Sequence, residues 1–338
     1  MPAVKYIILI AILFIIEIAY FKVARRYGIV DRPSKRGSSQ SVVLRGGGII
    51  FPIAALLLFV ADGFSQPLFM VGLLIVSALS FIDDIRSLTP KLRLSIQVLA
   101  MLMLIVQLLL IAPHGITIAS AAIIVIAGLI VCTGAMNIFN FMDGINGITG
   151  GYALVVLAAI AFTLYHGDTG SYDIPLDQVP QGVFLLATVT IAADIVFCFF
   201  NFRTHTRCFA GDVGSVSIAF VILFLTGYII VATGDASWLA FLVVYGVDGC
   251  LTIMHRIMLH ENISLPHRKH AYQIMANELH IPHCAVSAAY MAIQAVCCAA
   301  YIAWPGYLTL LVEIAILAAA YVIFMKKFYH LHVESGNA

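Results

Sequence analysis

Eleven long apolar runs decide what this chain can fold into. About 20 apolar helical residues cross the ~30 Å of hydrocarbon in a bilayer, and only helices or closed barrels satisfy their backbone groups there. With 62% hydrophobic and 10% charged residues, the chain is far poorer in charge than a soluble domain, where roughly a quarter of residues are charged. We therefore predict an all-α, polytopic integral membrane protein with about 11 transmembrane helices. The runs lie near 4–22, 47–61, 66–82, 93–112, 118–138, 150–166, 181–201, 213–232, 237–255, 285–304 and 306–325.

The distribution of Lys and Arg predicts the orientation of these helices. Segment 22–46 holds seven basic residues, whereas Lys5 alone precedes the first run. Placing that segment inside and alternating sides puts seventeen of the eighteen Lys and Arg residues on the inner face, as the positive-inside rule requires. We predict a single domain over 1–338, with the N-terminus outside and the C-terminus inside. Its polar inner-face segments lie near 23–46, 83–93, 139–150, 202–213 and 256–284.

Four polar clusters interrupt the apolar runs, and the predicted topology places all of them on the inner face. They occupy 81–97, 137–147, 210–215 and 266–273. A transporter would place its polar groups near the bilayer midplane instead. Carboxylates, amides, glycines, histidines and arginines gathered at one face are what a metal-assisted reaction on a phosphorylated substrate needs.

The first cluster contains two adjacent carboxylates, Asp83 and Asp84, at the inner end of the third run. Thr89 and Pro90 are typical of a helix N-cap and first turn, after which Arg93 and Gln97 share one helix face. Paired carboxylates beside arginine could hold a divalent cation next to a phosphate. An ordinary solvated loop would give the same pattern.

The second cluster spaces polar side chains three residues apart, so that on a helical turn they project from one side. Polar side chains leaving an apolar helix are costly unless they meet partners or a ligand, and contacts between helices are the alternative explanation. The residues are Asn137, Asn140, Asp143 and Asn146.

The last two clusters offer an acid and a set of cations. Asp212 lies between glycines at the start of a run, which suits close approach of a metal or phosphate, although a helix N-cap would look alike. His267, Arg268 and His270 could bind a diphosphate, with arginine as the fork-shaped donor; a basic surface loop is the alternative. Hard oxygen ligands favour Mg²⁺, with Mn²⁺ as a substitute, and no zinc-type cluster, P-loop or nucleophile elbow appears.

In this order the motifs resemble the polyprenyl-phosphate N-acetylhexosamine-1-phosphate transferases of glycosyltransferase family 4, from Arg45-Gly-Gly-Gly48 to the His-Arg loop. The resemblance implies an enzyme of the bacterial inner membrane, with many spans and a cytoplasmic active site. It would transfer a sugar-1-phosphate from a UDP-sugar to polyprenyl (undecaprenyl) phosphate with Mg²⁺, releasing UMP. No nucleic-acid partner is implied, and a homodimer is a further hypothesis.

The resemblance also implies roles for individual residues. Asp83 and Asp84 match the paired aspartates at the lipid-phosphate and metal site, and Asp212 matches the aspartate that ligates magnesium. We expect catalytic roles for Asp83, Asp84, Asp143, Asp212, His267, Arg268 and His270. We expect substrate contacts from Arg45, Arg93, Asn137, Asn140, Asn146 and Phe209, with Phe209 where the family stacks the uracil ring.

One residue departs from the family pattern, and the rival functions also remain to be weighed. The family usually has a second acid at the position of Asn146, which could still hydrogen-bond the nucleotide, so Asn146→Asp is expected to be tolerated. The His-Arg loop favours the O-antigen and capsule branch over the phospho-N-acetylmuramoyl-pentapeptide transferases of peptidoglycan synthesis. A secondary transporter is the rival from another class, because four acids lie inside apolar runs: Glu17, Asp194, Asp248 and Glu313.

Overall fold

In the computed structural model, the described residues are 3–31, 42–61, 65–112, 117–166, 180–262 and 267–336, and most of them are helical. Ten helices are long and apolar enough to cross a membrane, counted over these residues. The prediction of an all-α, polytopic membrane protein is therefore confirmed. The α-helices are α1 (Ala3–Tyr27), α2 (Ile50–Ala61), α3 (Pro67–Ile85), α4 (Pro90–Ile111), α5 (Ile118–Met142), α6 (Ile148–His166), α7 (Gln181–Asn201), α8 (Gly211–Thr233), α9 (Val243–Met258), α10 (Ala271–Gln273), α11 (His283–Ala303) and α12 (Tyr307–Gly336).

The second predicted span is the short one. Its residues form a 3-10 turn, Gly47–Ile49, followed by the 12-residue helix α2. The ninth predicted span also divides, because a 3-10 helix, Ala236–Leu242, precedes α9. Its 3-10 segment begins at the N-cap Asp235, whose carboxylate accepts a hydrogen bond from the Ser237 N–H at 2.7 Å. The sequence located both spans but not these changes of helix type.

Two of the polar segments, 23–46 and 256–284, contain local structure that the sequence did not reveal. Strands β1 (Val30–Asp31) and β2 (Val43–Leu44) form a short antiparallel pair next to Arg45. In the other segment, α10 leads into a π-helical turn, Ile274–Glu278. Both therefore present folded backbone beside the ends of the long helices.

Helix α8 is the centre of the bundle and packs against α3, α4, α5, α6 and α7. It is apolar around its whole circumference, as expected of a helix buried on all sides, and Phe224 stacks against Phe69 of α3 at 4.4 Å between ring centroids. At its start, a Cβ atom on Gly48 would overlap the backbone of Gly214. The segment that carries Arg45 therefore lies directly against the first turn of α8.

Candidate active site

The site forms where the N-terminus of α8 meets the C-terminus of α3. The Asp84 carboxylate accepts hydrogen bonds from the backbone N–H groups of Asp212 (2.9 Å) and Val213 (3.0 Å). Helix N-termini leave such donors unsatisfied and carry partial positive charge, so a carboxylate is stable there. Arg45 Nε donates to the same carboxylate at 2.7 Å, and the Asp84 side chain is fully buried. Asp84 thus joins three segments of the chain.

Gly211 makes this junction sterically feasible. Its φ is +71°, and a Cβ atom there would lie 2.6 Å from Asp84 Oδ2 and 2.9 Å from the backbone nitrogen of Gly46. A side chain would therefore be strained by its backbone and would push the carboxylate away. This close approach is the physical reason for the first glycine of the Ala-Gly-Asp-Val-Gly-Ser motif.

Asp212 is the most exposed of the three aspartates, with 20% of its side chain accessible, against 7% for Asp83 and none for Asp84. Two arginines flank it: Arg45 Nη2 lies 3.5 Å from Oδ1, and Arg93 Nη1 lies 3.9 Å from Oδ2. Arg93 also forms a 3.0 Å ion pair with Asp83, whose other oxygen accepts the Leu88 N–H. The carboxylate open to a ligand is therefore that of Asp212.

Burial and the neighbouring carboxylates have opposite effects on the pKa of Arg45. Burial lowers the pKa of its guanidinium, but the carboxylates of Asp84, Asp212 and Asp31 outweigh this effect and hold the pKa above its ordinary value. Arg45 consequently remains a cation at any pH where the protein is folded. A fixed positive charge with partial exposure is suited to binding a phosphate oxygen.

Amides of α5 extend this cluster. Asn140 Nδ2 donates to Asp212 Oδ1 and to Ser215 Oγ, both at 3.1 Å. One turn earlier, Asn137 Nδ2 donates to Gln97 Oε1 of α4 at 3.0 Å. The predicted N-cap at Thr89 and first-turn Pro90 are confirmed, and they start the helix that carries Gln97.

The donor set fits a hard cation with few protein ligands. The carboxylates of Asp83 and Asp212 both lie near Arg93 Nη1, at 3.0 Å and 3.9 Å, and carboxylates gathered in this way favour a proton or a cation between them. In the described part of the chain, no three His, Cys, Asp or Glu side chains are grouped as a ready-made metal cage. Mg²⁺ commonly uses only one or two carboxylates and completes its shell with water and substrate phosphate.

Asp143 ends α5 just below the cluster, where Thr149 Oγ1 donates to its Oδ1 at 2.7 Å. Burial of the carboxyl group raises its pKa to about 7, although the hydrogen bond from Thr149 opposes the shift. Asp143 is therefore a mixture of its acid and its carboxylate at neutral pH.

The raised pKa of Asp143 predicts a pH-dependent stability. The carboxyl binds its proton more tightly in the folded protein (pKa about 7) than at its ordinary value of 3.8. The resulting stabilisation is complete below pH 3.8 and is lost as the pH rises to about 7. Asp143→Asn should flatten this part of the profile of melting temperature against pH. An unchanged profile would mean that the Asp143 carboxyl is well solvated.

Asn146 contacts the backbone of another loop rather than the carboxylate cluster. Its Nδ2 donates to the backbone carbonyls of Arg203 (2.9 Å) and Thr204 (3.3 Å). The backbone carbonyl of Asn146 in turn accepts a hydrogen bond from Ser287 Oγ. The side chain is buried. Asn146 thus joins the loop after α5 to the loop after α7, and its predicted substrate contact has no free amide hydrogen in this structure.

This geometry reverses the expectation that Asn146→Asp is tolerated. A carboxylate would face two carbonyl oxygens and could donate to neither, which costs about 1–3 kcal/mol for buried groups left unsatisfied. We expect a lower melting temperature in detergent. Asn262→Asp, the same change at an exposed residue, is the control. Equal melting temperatures for wild type and Asn146→Asp would show that the loop contact contributes nothing.

Phe209 contacts the Arg45 segment, and the His-Arg loop contacts the end of α5. The Phe209 backbone binds the Leu44 carbonyl (2.8 Å) and the Gly47 N–H (2.9 Å), which leaves its half-exposed ring beside the Arg45 segment. In the loop, His267 packs its ring edge-on against Phe141 at 6.0 Å, and Tyr272 Oη donates to the Phe141 carbonyl at 2.8 Å. Arg268, in the same loop, is half-buried.

Burial and neighbouring cations make His267 a neutral side chain. Burial comes first, and the electrostatic effects of the neighbouring His270, Arg256 and Lys269 side chains add to it, together lowering the pKa of His267 to about 3. Lys269 and Arg256 are themselves paired with Glu261. At neutral pH, His267 offers one donor and one acceptor rather than a positive charge.

His270 is paired with Asp248, one of the four membrane acids that favoured a transporter. Its Nδ1 lies 3.1 Å from Oδ1 of Asp248, an acid inside α9. Three of the four membrane acids lie near the site end of the bundle: Asp248 through this contact, Glu17 beside Gly47, and Asp194 beside Gly150. Their positions do not form the midplane site that a transporter would need.

The fold and the site together define a polytopic membrane protein with a carboxylate and arginine cluster where helix ends converge. Residues 67–231 match the sequence model of the family described as glycosyl transferase family 4, a range that includes every site residue from Asp83 to Asp212. Arg45 and the His-Arg loop lie outside it.

The chain is similar to curated proteins that are named as undecaprenyl-phosphate N-acetylglucosaminyl 1-phosphate transferases. The chain is 24% identical over 286 residues to the "Probable undecaprenyl-phosphate N-acetylglucosaminyl 1-phosphate transferase" of Bacillus subtilis (strain 168), covering 80% of this chain and 75% of that protein. It is 27% identical over 216 residues to the "Undecaprenyl-phosphate alpha-N-acetylglucosaminyl 1-phosphate transferase" of Escherichia coli (strain K12), covering 60% and 56%. The matches confirm the predicted superfamily and its phosphotransferase class. They do not distinguish its branches.

Proposed function

We propose that this protein transfers a sugar-1-phosphate, N-acetylhexosamine-1-phosphate, from a UDP-sugar to undecaprenyl phosphate. The products are UMP and undecaprenyl-diphospho-sugar. The observation that carries the proposal is the pair of arginines, Arg45 and Arg93, on either side of the exposed Asp212 carboxylate. Both curated relatives bear names for transfer of N-acetylglucosaminyl 1-phosphate to undecaprenyl phosphate, which supports the substrate classes.

The main requirement of this reaction is to bring together two anions. The second pKa of a phosphate monoester is near ~6, so the lipid phosphate is already largely ionised at neutral pH and needs little help from a general base. Attack on the β-phosphorus of the UDP-sugar is instead limited by charge, and neutralising and orienting that charge is the main contribution in phosphoryl transfer. Arg45 and Arg93 supply two fixed cations for this purpose.

Mg²⁺ is the cofactor that the residues fit. Asp212 would hold it, with Asp83 beside it, while Asn140 orients the Asp212 carboxylate. When bound, the ion would neutralise charge on the diphosphate. Asp84 has a structural role instead, because its two oxygens already bind two backbone N–H groups and Arg45. It holds the start of α8 and Arg45 at a fixed separation.

The His-Arg loop is suited to the sugar and diphosphate end of the donor. It attaches to the α5 terminus through Tyr272 and Phe141, on the side of Asp143 rather than of Arg45. Arg268 offers a planar fork for phosphate oxygens, and the neutral His267 can hydrogen-bond a hydroxyl or amide. The proposed arrangement is therefore lipid phosphate and diphosphate around Asp212, within reach of Arg45 and Arg93, with the sugar beneath the loop.

We further propose that the site faces the cytoplasm in a bacterial inner membrane, with the N-terminus outside and the C-terminus inside. Seventeen of eighteen Lys and Arg residues favour this orientation. UDP-sugars are made in the cytoplasm, so the same orientation supplies the donor. Homodimer formation stays a prediction.

The test is release of UMP by protein purified in detergent. We expect release from a UDP-N-acetylhexosamine only when both undecaprenyl phosphate and Mg²⁺ are present, with EDTA abolishing it. A panel of UDP-sugars that includes the muramyl-pentapeptide nucleotide distinguishes the O-antigen and capsule branch from the peptidoglycan branch. UMP release without lipid phosphate, or none with any donor in the panel, would contradict the proposal.

A further inference from the structure

Asp248 is a buried acid with four hydrogen-bond partners, two of which belong to the His-Arg loop. Its Oδ1 accepts hydrogen bonds from the Ala271 N–H (3.3 Å) and Thr252 Oγ1 (3.1 Å), and its Oδ2 accepts one from Tyr290 Oη (2.5 Å). The fourth partner is His270 Nδ1, at 3.1 Å from Oδ1. Only 4% of Asp248 and 1% of His270 is exposed.

We propose that Asp248 is a positioning residue that holds His270 with Nδ1 protonated and Nε2 directed to the substrate. The inference rests on the proposed function for the identity of that substrate, a UDP-sugar, but not for the geometry. Asp248 itself touches no reacting atom. It acts through the imidazole ring.

The hydrogen-bond donors around Asp248 determine which nitrogen of His270 carries the proton. Three other groups already donate to the carboxylate, and it has no proton of its own to offer while ionised. Nδ1 must therefore donate, because two acceptors 3.1 Å apart would repel. In the neutral form of the ring, this donation fixes the tautomer whose Nε2 has a free lone pair.

His270 Nε2 is a buried polar atom with no hydrogen-bond partner in the structure. A buried group without a partner costs free energy, so a ligand atom that reaches Nε2 would gain a hydrogen bond there. The ring lies 4.9 Å from that of His267 and 5.8 Å from that of Tyr272, measured between centroids. These neighbours also border Phe141 and Gly144, the segment next to Asp143. A substrate hydroxyl or amide N–H would complete the set.

The surrounding hydrogen bonds hold both Asp248 and His270 in place, so their contact is a fixed feature of the fold. Tyr290 comes from α11, Thr252 from α9 and Ala271 from α10, so three helices fix the carboxylate. Thr252 is in turn held by Tyr321 of α12 at 2.8 Å. Gln273 accepts the His270 N–H at 3.2 Å, which fixes the backbone of the same residue.

Asp248→Asn tests the inference because it preserves size while reversing the hydrogen bond. The amide oxygen can still accept from Tyr290, whereas the NH₂ group donates to Nδ1 and moves the ring proton to Nε2. We expect kcat to fall by about 10- to 100-fold. In a His270→Ala background, the same change should have no further effect, because residues that act through one another are not additive.

Asp194→Asn is the matched control. It removes a second fully buried acid from the bundle, and Asp194 contacts Cys198 rather than the loop. The melting temperature of each variant reports whether a loss of activity reflects unfolding. Activity reduced equally by Asp248→Asn in both backgrounds would assign Asp248 a structural role and overturn the inference.

The tautomer can also be measured without any substrate. Nitrogen-15 spectra of the wild-type protein labelled at histidine, with His270 assigned from the His270→Ala spectrum, should show the Nδ1–H form when the ring is neutral. An Nε2–H form would overturn the inference even if UMP release is normal. Conversely, an Nδ1–H ring in a protein that releases no UMP would support the geometry and contradict only the proposed function.

Discussion

Replacing Asp212 with asparagine is expected to lower kcat for UMP release by about 10²–10³, the usual loss when one charge-stabilising group is removed from an active site. Asn has the size of Asp but is a weaker ligand for Mg²⁺, and it no longer balances the charges of Arg45 and Arg93. Because Asp212 is the most exposed of the three aspartates, the variant should stay folded. Higher Mg²⁺ or Mn²⁺ should restore part of the rate.

Asp31→Asn is the control for this prediction. Asp31 also acts on Arg45 through its charge but lies in strand β1, away from the start of α8. Its replacement should leave the Mg²⁺ dependence unchanged. Normal turnover of Asp212→Asn at low Mg²⁺ would remove Asp212 from the metal site, and a loss that no concentration of metal ion restores would assign it a role other than ligation.

Asp84→Ala is expected to reduce both stability and activity. The substitution removes the acceptor for two backbone N–H groups of α8 and the closest anion to Arg45. Leaving buried backbone donors without an acceptor costs about 1–3 kcal/mol, and Arg45, which is partly exposed, loses its nearest anion. We expect a marked fall in melting temperature and a loss of at least 10² in kcat, because Arg45 and the first turn of α8 lose their common support.

The adjacent aspartate provides the comparison for Asp84. Asp83 accepts one backbone N–H, from Leu88, and pairs with Arg93. Asp83→Ala should therefore lower the melting temperature less than Asp84→Ala, while still reducing activity. If the two variants melt at the same temperature, the distinction between an anchoring Asp84 and a ligand-facing Asp83 is wrong.

The bundle could be predicted from sequence because hydropathy acts locally. Each run of about 20 apolar residues forms a helix regardless of its neighbours, so most spans were found to within a few residues, although α1 and α12 continue beyond their predicted ends into polar sequence. Exceptions occurred where backbone geometry, not hydropathy, decides: the 3-10 segments before α2 and α9. Residue spacing likewise indicated that Asn140 and Asp212 belong to the site, since each lies at a helix end on the predicted inner side.

The partners within the site could not be predicted, because they depend on contacts between distant residues. Asp248 and His270 are 22 residues apart, and an acid within an apolar run gives no sign of which helix face it occupies. It therefore supported a transporter as readily as an enzyme. Asn146 shows the same limit: its place in the polar cluster suggested a contact with the nucleotide, and the sequence did not reveal that its amide nitrogen also bridges two loops. In both cases the identity of the acceptor or donor decides the role.

The brevity of α2 has a consequence for the membrane around the protein. The 3-10 turn and the twelve residues of α2 together rise about 24 Å, short of ~30 Å of hydrocarbon, and Leu56, Leu57 and Val60 on this helix are exposed. Such hydrophobic mismatch draws the lipid head groups inward or thins the bilayer locally. Lipid phosphates next to α2 would then sit deeper than elsewhere, close to the level of Arg45 at its start. Acyl-chain length in reconstituted vesicles is therefore a variable of the reaction, with thinner bilayers expected to favour delivery of the lipid acceptor.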